Sequence, residues 1–148
     1  YSADMPGLVE TSLNLGIAKL GEMFTVTFSV RSSVNQKKEE LLEQLKKLSD
    51  FYDGIYSQSG EYPAWEYCKN SVLRDTMVKT YSEMFGEEPK VLAIHAGLEC
   101  GLLSEKLPGL DAVSIGPQMH DIHTSREKLE IASTGRVWRF LCKVLSEL

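Results

Sequence analysis

The sequence predicts an α/β protein with an α+β part in its first half. Residues 1–67 open with two runs in which apolar and polar side chains alternate, the period of half-buried strands. Residues 68–148 instead alternate helical patterns with short, continuous apolar runs, as in units with parallel strands. We therefore expect two structural units, with a boundary near Tyr67.

Composition and charge are those of a globular chain and argue against several partners. Of the 148 residues, 43% are hydrophobic and 25% charged, and the formal net charge is -5. This acidic balance argues against nucleic acid or an anionic membrane as partner. No apolar run approaches the roughly 20 residues that span a bilayer. Three widely spaced cysteines fit neither a disulfide framework nor a CxxC metal site, so we expect a cytoplasmic protein.

The clearest strand pattern lies in the first 31 residues. Alternation between Leu13 and Ile17, and again between Phe24 and Val30, predicts a β-hairpin. The same alternation places Arg31 on the polar face of the second strand. Arg31 is then either a solvated charge at a strand end or a guanidinium that binds a carboxylate in a bidentate grip.

An amphipathic helix follows the hairpin. Ser33 and Gln36 have the spacing of a capping box. The apolar face recurs at spacings of three and four, at Leu41, Leu42, Leu45, Leu48 and Tyr52. Gly54 ends the helix, and residues 54–62 are predicted to form another strand.

Helices also begin and end the second half. Asn70 or Ser71 can cap a helix over residues 72–85, which Gly86 stops. Ser133 is predicted to cap a final amphipathic helix.

Between these helices the pattern predicts a compact parallel crossover. Residues 91–94 and 112–115 are short apolar runs typical of buried strands, and residues 98–107 form a helical pattern between them. A strand, helix, strand order of this kind gives a right-handed unit with parallel strands.

Candidate chemistry is concentrated between residues 91 and 127. The sequence has no P-loop, dinucleotide fingerprint, GxSxG elbow or HExxH helix. All three histidines, His95, His120 and His123, lie in this stretch with carboxylates nearby, and imidazole and carboxylate oxygens are good zinc ligands. Loop spacing does not fix the direction of a side chain, so exposed polar histidines are the alternative.

Two other features of this stretch also admit two interpretations. Cys100 is a nucleophile if His95 serves as its base, or else a small packing residue of a helix. The glycines Gly97, Gly101 and Gly116 bring backbone N–H groups close to an anionic ligand, or they only permit turns. The residues alone predict a site and do not name its reaction.

Several segments together resemble the C-terminal portion of bacterial aminoacyl-histidine dipeptidases. They are, in the same order as in that family, PGLVETSLNLG, SVRSS, HAGLECGLL, SIGP and HTSREK. These enzymes, also called Xaa-His or carnosinase-like dipeptidases, are two-zinc metallopeptidases. The resemblance implies that residues 1–67 are the second half of a ferredoxin-like lid and dimerisation domain. Residues 68–148 would be the closing segment of the zinc domain, with a parallel βαβ unit and flanking helices.

The same resemblance implies roles for particular residues. His123 matches the histidine that supplies the last zinc ligand, and Arg31 the lid arginine that binds the substrate carboxylate. The turn that receives the C-terminal end of the substrate corresponds to Gly97, Leu98, Glu99 and Gly101. Glu127 keeps the acid of the family's H-S-P-D-E run, and the resemblance implies that it supports the metal ligand or the fold and does not itself bind metal. Thr124, Ser125 and Arg126 depart from that run, so the loop after the ligand is expected to differ. Cys100 would be a packing residue.

The function that this resemblance implies is hydrolysis of dipeptides, of Xaa-His type and broader. The enzyme would be a homodimer with two zinc ions, and manganese or cobalt would be the alternative metals. A water activated between the two metals would attack the peptide carbonyl. Most of the family's catalytic residues precede this segment, and the chain opens with Tyr1 and not Met, so we expect a fragment that is inactive alone. The alternatives are a non-catalytic dimerisation module and an unrelated thiol or histidine hydrolase that uses His95 and Cys100.

Overall fold

The structure, a computed structural model, describes residues 1–3, 5–93 and 99–148. Its elements are β1 (Thr11–Leu20), β2 (Phe24–Ser32), α1 (Asn35–Phe51), α2 (Val72–Phe85), α3 (Glu99–Lys106), β3 (Met119–His120), β4 (Lys128–Leu129) and α4 (Ile131–Leu145). The predicted mixture of helices and strands is therefore confirmed. No helix in the described ranges has both the length and the apolar content that crossing a bilayer requires.

Contacts divide the chain into two units. Tyr1–Tyr67 packs with Leu92–Gly109, and Cys68–Val91 packs with Leu110–Leu148. The hairpin, α1 and α3 therefore lie in the first unit, and α2 and α4 lie in the second. The assignment of residues 1–67 and 68–148 to a lid and a zinc domain concerns a longer protein and stays a prediction.

The predicted hairpin is confirmed. β1 and β2 pair antiparallel from Thr11 opposite Ser32 to Leu20 opposite Phe24, with an irregularity in register between Leu15 and Ile17. On β2 the valines and Phe28 are half-buried, whereas Arg31 is exposed on the face of the threonines. The alternation of the sequence therefore placed Arg31 correctly.

The predicted capping box at the start of α1 is wrong. The residue before the helix is Val34, which makes no side-chain cap. Ser33 lies at the end of the hairpin, where its N–H donates to the carbonyl of Glu10 at 2.9 Å. The cap comes from a distant residue, because Glu66 Oε1 accepts the N–H of Asn35 at 2.9 Å.

The predicted strand over residues 54–62 is also wrong, since the structure assigns no strand there. The segment is held by side chains of α1 and not by a strand ladder. Lys38 Nζ donates to the carbonyl of Tyr62 at 2.7 Å, and the N–H of Ala64 donates to Asn35 Oδ1 at 2.8 Å.

The predicted caps of α2 are confirmed. Ser71 Oγ accepts the N–H of Arg74 at 3.0 Å, and Gly86 ends the helix in the left-handed conformation with φ of 73°. Asp111 completes the N-terminal cap: its Oδ1 accepts from the Ser71 hydroxyl at 2.6 Å and its Oδ2 from the N–H of Leu73 at 2.9 Å.

Asp111 should make the stability of the second unit depend on pH. Its hydrogen bonds from the Ser71 hydroxyl and the Leu73 amide hold the pKa of Asp111 below its ordinary value. The ionised carboxylate therefore stabilises the fold above that ordinary value, and its contribution is lost as the pH falls through the lowered pKa. We expect Asp111→Asn to lower the free energy of unfolding by about 1–2 kcal/mol at pH 7.

Urea unfolding of wild type and Asp111→Asn across pH checks this expectation. The difference in the free energy of unfolding between the two proteins should shrink below about pH 3.8. In that range the unfolded wild-type chain binds a proton at Asp111, which the folded chain binds only at lower pH. An equal difference at pH 7 and at about pH 2.5 would show that the charge of Asp111 contributes nothing.

The predicted parallel crossover is found only in part. Its helix is present as α3, but the structure assigns no strand to residues 112–115 or to residues 91–93, and Ile94 lies outside the described residues. A strand requires hydrogen bonds to a neighbouring strand. The strand pairs of the described residues are both antiparallel, β1 with β2 and β3 with β4.

The core of the second unit lies between α2 and α4. Met77, Phe140 and Val144 are buried, and a partly buried shell packs against them, formed by Leu73, Tyr81, Phe85 and Val113. α4 begins before the predicted position, with Glu130 as its N-terminal cap residue. Ser133 is buried in the first turn, where its Oγ accepts the N–H of Gln118 at 2.9 Å and donates to the carbonyl of Glu130 at 2.6 Å.

Candidate functional site

The predicted metal ligand, His123, lies in the loop between β3 and β4. Met119 pairs with Leu129 and His120 with Lys128, so residues 121–127 form the connection. His123 has a φ of 64°, in the left-handed region that residues with a side chain rarely adopt. Its side chain is exposed.

Hydrogen bonds within the loop fix the backbone around His123. Glu127 Oε2 accepts the N–H of His123 at 2.8 Å. The Thr124 hydroxyl donates to the carbonyl of Asp121 at 2.7 Å and accepts the N–H of Arg126 at 3.2 Å. The loop thus presents an imidazole outward from a backbone that its own side chains hold.

The exposed imidazole of His123 could serve as one metal ligand, but the described residues do not complete a metal site. They contain no group of three or more His, Cys, Asp and Glu side chains that could hold a metal ion. A catalytic zinc normally takes three protein ligands. His120 is exposed in β3, and His95 lies outside the described residues. The role of His123 as a metal ligand therefore stays a prediction.

Arg31 lines a shallow cleft of about 50 Å³ in the first unit. The lining residues are Val30, Arg31, Ser32, Lys38, Leu42, Gly60, Glu61 and Tyr62. Among the residues that the structure describes, Arg31 has no acidic partner, whereas the Lys38 ammonium is bonded to the carbonyl of Tyr62. Ligand pockets usually measure about 300–1,000 Å³, so this cleft is too small for a whole dipeptide.

Gly101 lies close to the backbone of residues 63–65. A Cβ on this buried residue would lie 2.9 Å from the carbonyl oxygen of Pro63 and 3.4 Å from the amide nitrogen of Trp65. Close packing of α3 therefore explains this glycine, and its proposed contact with substrate stays a prediction. Glu99, the first residue of α3, is exposed. Gly97 and Leu98, also predicted to face substrate, lie outside the described residues.

Gly101→Ala should destabilise the first unit. A methyl group at this position would clash with backbone atoms, which cannot change rotamer as a side chain can. Such a clash costs about 1–3 kcal/mol. The gain in helix propensity is only about 1 kcal/mol, so we expect a net loss in the free energy of unfolding.

The matched control is Gly135→Ala in α4, where nothing lies within 4 Å of the added Cβ. This change should stabilise its helix by about 0.5–1 kcal/mol. Amide hydrogen exchange can be read separately in α3 and α4 during urea unfolding. Equal stabilisation of both helices would contradict the packing explanation.

The predicted site residues are divided between the two units. Arg31, Glu99 and Gly101 lie in the first unit and His123 lies in the second.

The structure also shows contacts of residues whose role the sequence interpretation missed. Asp121 and the Thr124 hydroxyl, which close the loop of His123, were not recognised. Asp and Thr in a short polar loop favour such local hydrogen bonds, and this was the available signal.

Comparison with known proteins confirms the resemblance noted in the sequence. No family model matches the chain. The chain is 34% identical, over 143 residues, to the cytosol non-specific dipeptidase of Escherichia coli (strain K12), a match that covers 96% of this chain and 30% of that protein. The crystal structure of the aminoacylhistidine dipeptidase from Vibrio alginolyticus matches with a TM-score of 0.90 and 31% identity, over 99% of this chain and 30% of that one. The chain is thus homologous to a segment of enzymes named dipeptidases and spans about a third of their length.

Proposed function

We propose, from this homology, that the chain works as the C-terminal part of a metal-dependent cytoplasmic dipeptidase acting on Xaa-His and other dipeptides. The observation that carries the proposal is the match of 96% of the chain to one segment of the E. coli dipeptidase. Residues 1–67 would be the second half of the lid. Residues 91–94 and 112–115 would join the parallel sheet of the zinc domain, where neighbouring strands could bond to them.

His123 is the residue of this chain that would contribute to the metal site. Its exposed imidazole and its fixed backbone support this role. Zinc is the metal that we propose, with manganese or cobalt as substitutes. When bound, such a metal polarises the scissile carbonyl and lowers the pKa of a water molecule. The remaining ligands would come from outside this chain, so we propose that the chain alone is inactive.

Arg31 is the residue that would bind the C-terminal carboxylate of the substrate. An exposed guanidinium without an acidic partner among the described residues can form two parallel hydrogen bonds with such a group. Holding the substrate at its free carboxylate would favour dipeptides over longer peptides, because a fixed distance separates the carboxylate from the scissile bond. The turn formed by Gly97, Leu98, Glu99 and Gly101 would lie beside this end of the substrate.

We also infer a homodimer formed through the lid, residues 1–67. In the part of the chain that the structure describes, β1 and β2 pair only with each other, so each has an unpaired edge. Leu13, Leu15 and Ile17 of β1 are exposed as well. A free edge beside apolar side chains favours pairing with a further strand, supplied by the other half of the lid or by a second copy of the chain. These observations would equally suit the alternative, a dimerisation module without catalysis.

A hybrid enzyme separates the dipeptidase from the module. In this hybrid, the segment of the E. coli dipeptidase that matches the present chain is replaced by the 148 residues. We expect the hybrid to hydrolyse dipeptides when supplied with zinc, and the isolated 148-residue chain not to. A folded hybrid that dimerises without hydrolysing dipeptides would support the module.

A further inference from the structure

The backbone of His123 is in a conformation that needs support. Its φ of 64° is uncommon for a residue with a side chain, and Asp121, two residues earlier, has a φ of 50°. Such conformations persist where surrounding bonds hold them. β3 and β4 contribute only two residue pairs, which leaves the seven-residue connection to be fixed mainly by its own hydrogen bonds.

The bond that acts on His123 itself comes from Glu127. Glu127 Oε2 accepts the N–H of His123 at 2.8 Å. Glu127 is in turn fixed at the end of the loop, because its own N–H donates to the carbonyl of Thr124 at 3.2 Å and β4 begins at the next residue. The carboxylate therefore reaches back across the loop from an anchored position.

We propose that Glu127 is a positioning residue for the imidazole of His123; this inference rests on the metal role proposed for His123. By holding the N–H of His123, the carboxylate keeps φ positive and thereby sets the direction in which the side chain leaves the loop. A ligand whose direction is fixed binds a metal shared with other ligands more tightly than one that must first be ordered. Partners that orient metal ligands typically change metal affinity by about 10–100-fold.

The test compares Glu127→Ala, Glu127→Gln and the control Ser125→Ala, which lies in the same loop and makes no hydrogen bond in the structure. In the 148-residue chain, NMR reads the conformation of His123 directly, because a positive φ gives a strong cross-peak between its own amide proton and Hα. Amide exchange of His123 reads the hydrogen bond. In the hybrid enzyme, zinc affinity is measured by competition with a chelator.

We expect Glu127→Ala to weaken the His123 cross-peak, to speed exchange of its amide about tenfold or more, and to lower zinc affinity by about 10–100-fold. Glu127→Gln keeps a carbonyl oxygen as acceptor and should recover much of each property, and Ser125→Ala should match wild type. An unchanged cross-peak in Glu127→Ala, or unchanged zinc affinity after the cross-peak is lost, would overturn the inference.

The failure of the proposed function looks different. If His123→Ala leaves the zinc affinity of the hybrid unchanged, His123 is not a ligand, and the metal role is overturned together with the positioning role. The NMR measurement on the isolated chain would still report whether Glu127 holds the backbone.

Discussion

Replacing His123 by alanine in the hybrid dipeptidase should lower kcat/KM by about 1,000-fold or more, which corresponds to about 4 kcal/mol of transition-state stabilisation. The proposed role makes His123 a direct metal ligand. Removing it should therefore lower kcat/KM by more than the roughly 10–100-fold that is typical of residues that only orient ligands. Steady-state hydrolysis of an Xaa-His dipeptide and the zinc content of the purified protein measure both consequences together.

His120→Ala is the matched control for this experiment. His120 is also an exposed histidine of the β3–β4 hairpin, but its backbone pairs with Lys128 and it has no proposed metal role. We expect the His120 variant to keep activity within a few-fold of the unmodified hybrid. Equal losses in both variants would indicate damage to the hairpin and would contradict a specific role for His123.

Phe140→Ala should be the most destabilising single change in the second unit. Phe140 is 7% exposed and packs edge-to-face on Tyr81, with ring centroids 5.5 Å apart. Removing a buried aromatic ring costs about 3–5 kcal/mol. The buried core of this unit in the described residues consists of only Met77, Phe140 and Val144. We therefore expect loss of cooperative unfolding of α2 and α4, measured by amide exchange and near-ultraviolet circular dichroism.

Trp138→Ala is the control on the same helix. Trp138 is 65% exposed and lies on the outer face of α4. Surface substitutions of this kind usually change stability by less than about 0.5 kcal/mol. A larger loss with Trp138→Ala than with Phe140→Ala would show that the outer face of α4 is covered in solution, for instance by self-association.

The sequence predicted local elements well where side-chain periodicity determines them. The alternation from Phe24 to Val30 gave the hairpin and the exposed face of Arg31, and Ser71 with Gly86 gave both ends of α2. In these cases the pattern within one element, or within two neighbouring strands, contains most of the necessary information, although Asp111 adds to the cap of α2 from 40 residues beyond Ser71.

The predictions that failed depend on residues far apart in the chain. Ser33 does not cap α1, because it is hydrogen-bonded at the end of the hairpin. Glu66 instead accepts the N–H of Asn35, from 31 residues away. Residues 112–115 have a strand pattern but no strand partner among the described residues, since pairing is decided by tertiary context. For the site, only the family resemblance singled out His123; loop spacing alone did not separate it from His120.

The most direct test of the account is dipeptide hydrolysis by the hybrid in which these 148 residues replace the matching segment of the E. coli dipeptidase. Circular dichroism and zinc content first establish that the hybrid folds and binds metal. We predict zinc-dependent hydrolysis of an Xaa-His dipeptide that His123→Ala abolishes and His120→Ala preserves. A hybrid that folds and binds zinc but hydrolyses no dipeptide would contradict the assignment of this chain to a dipeptidase.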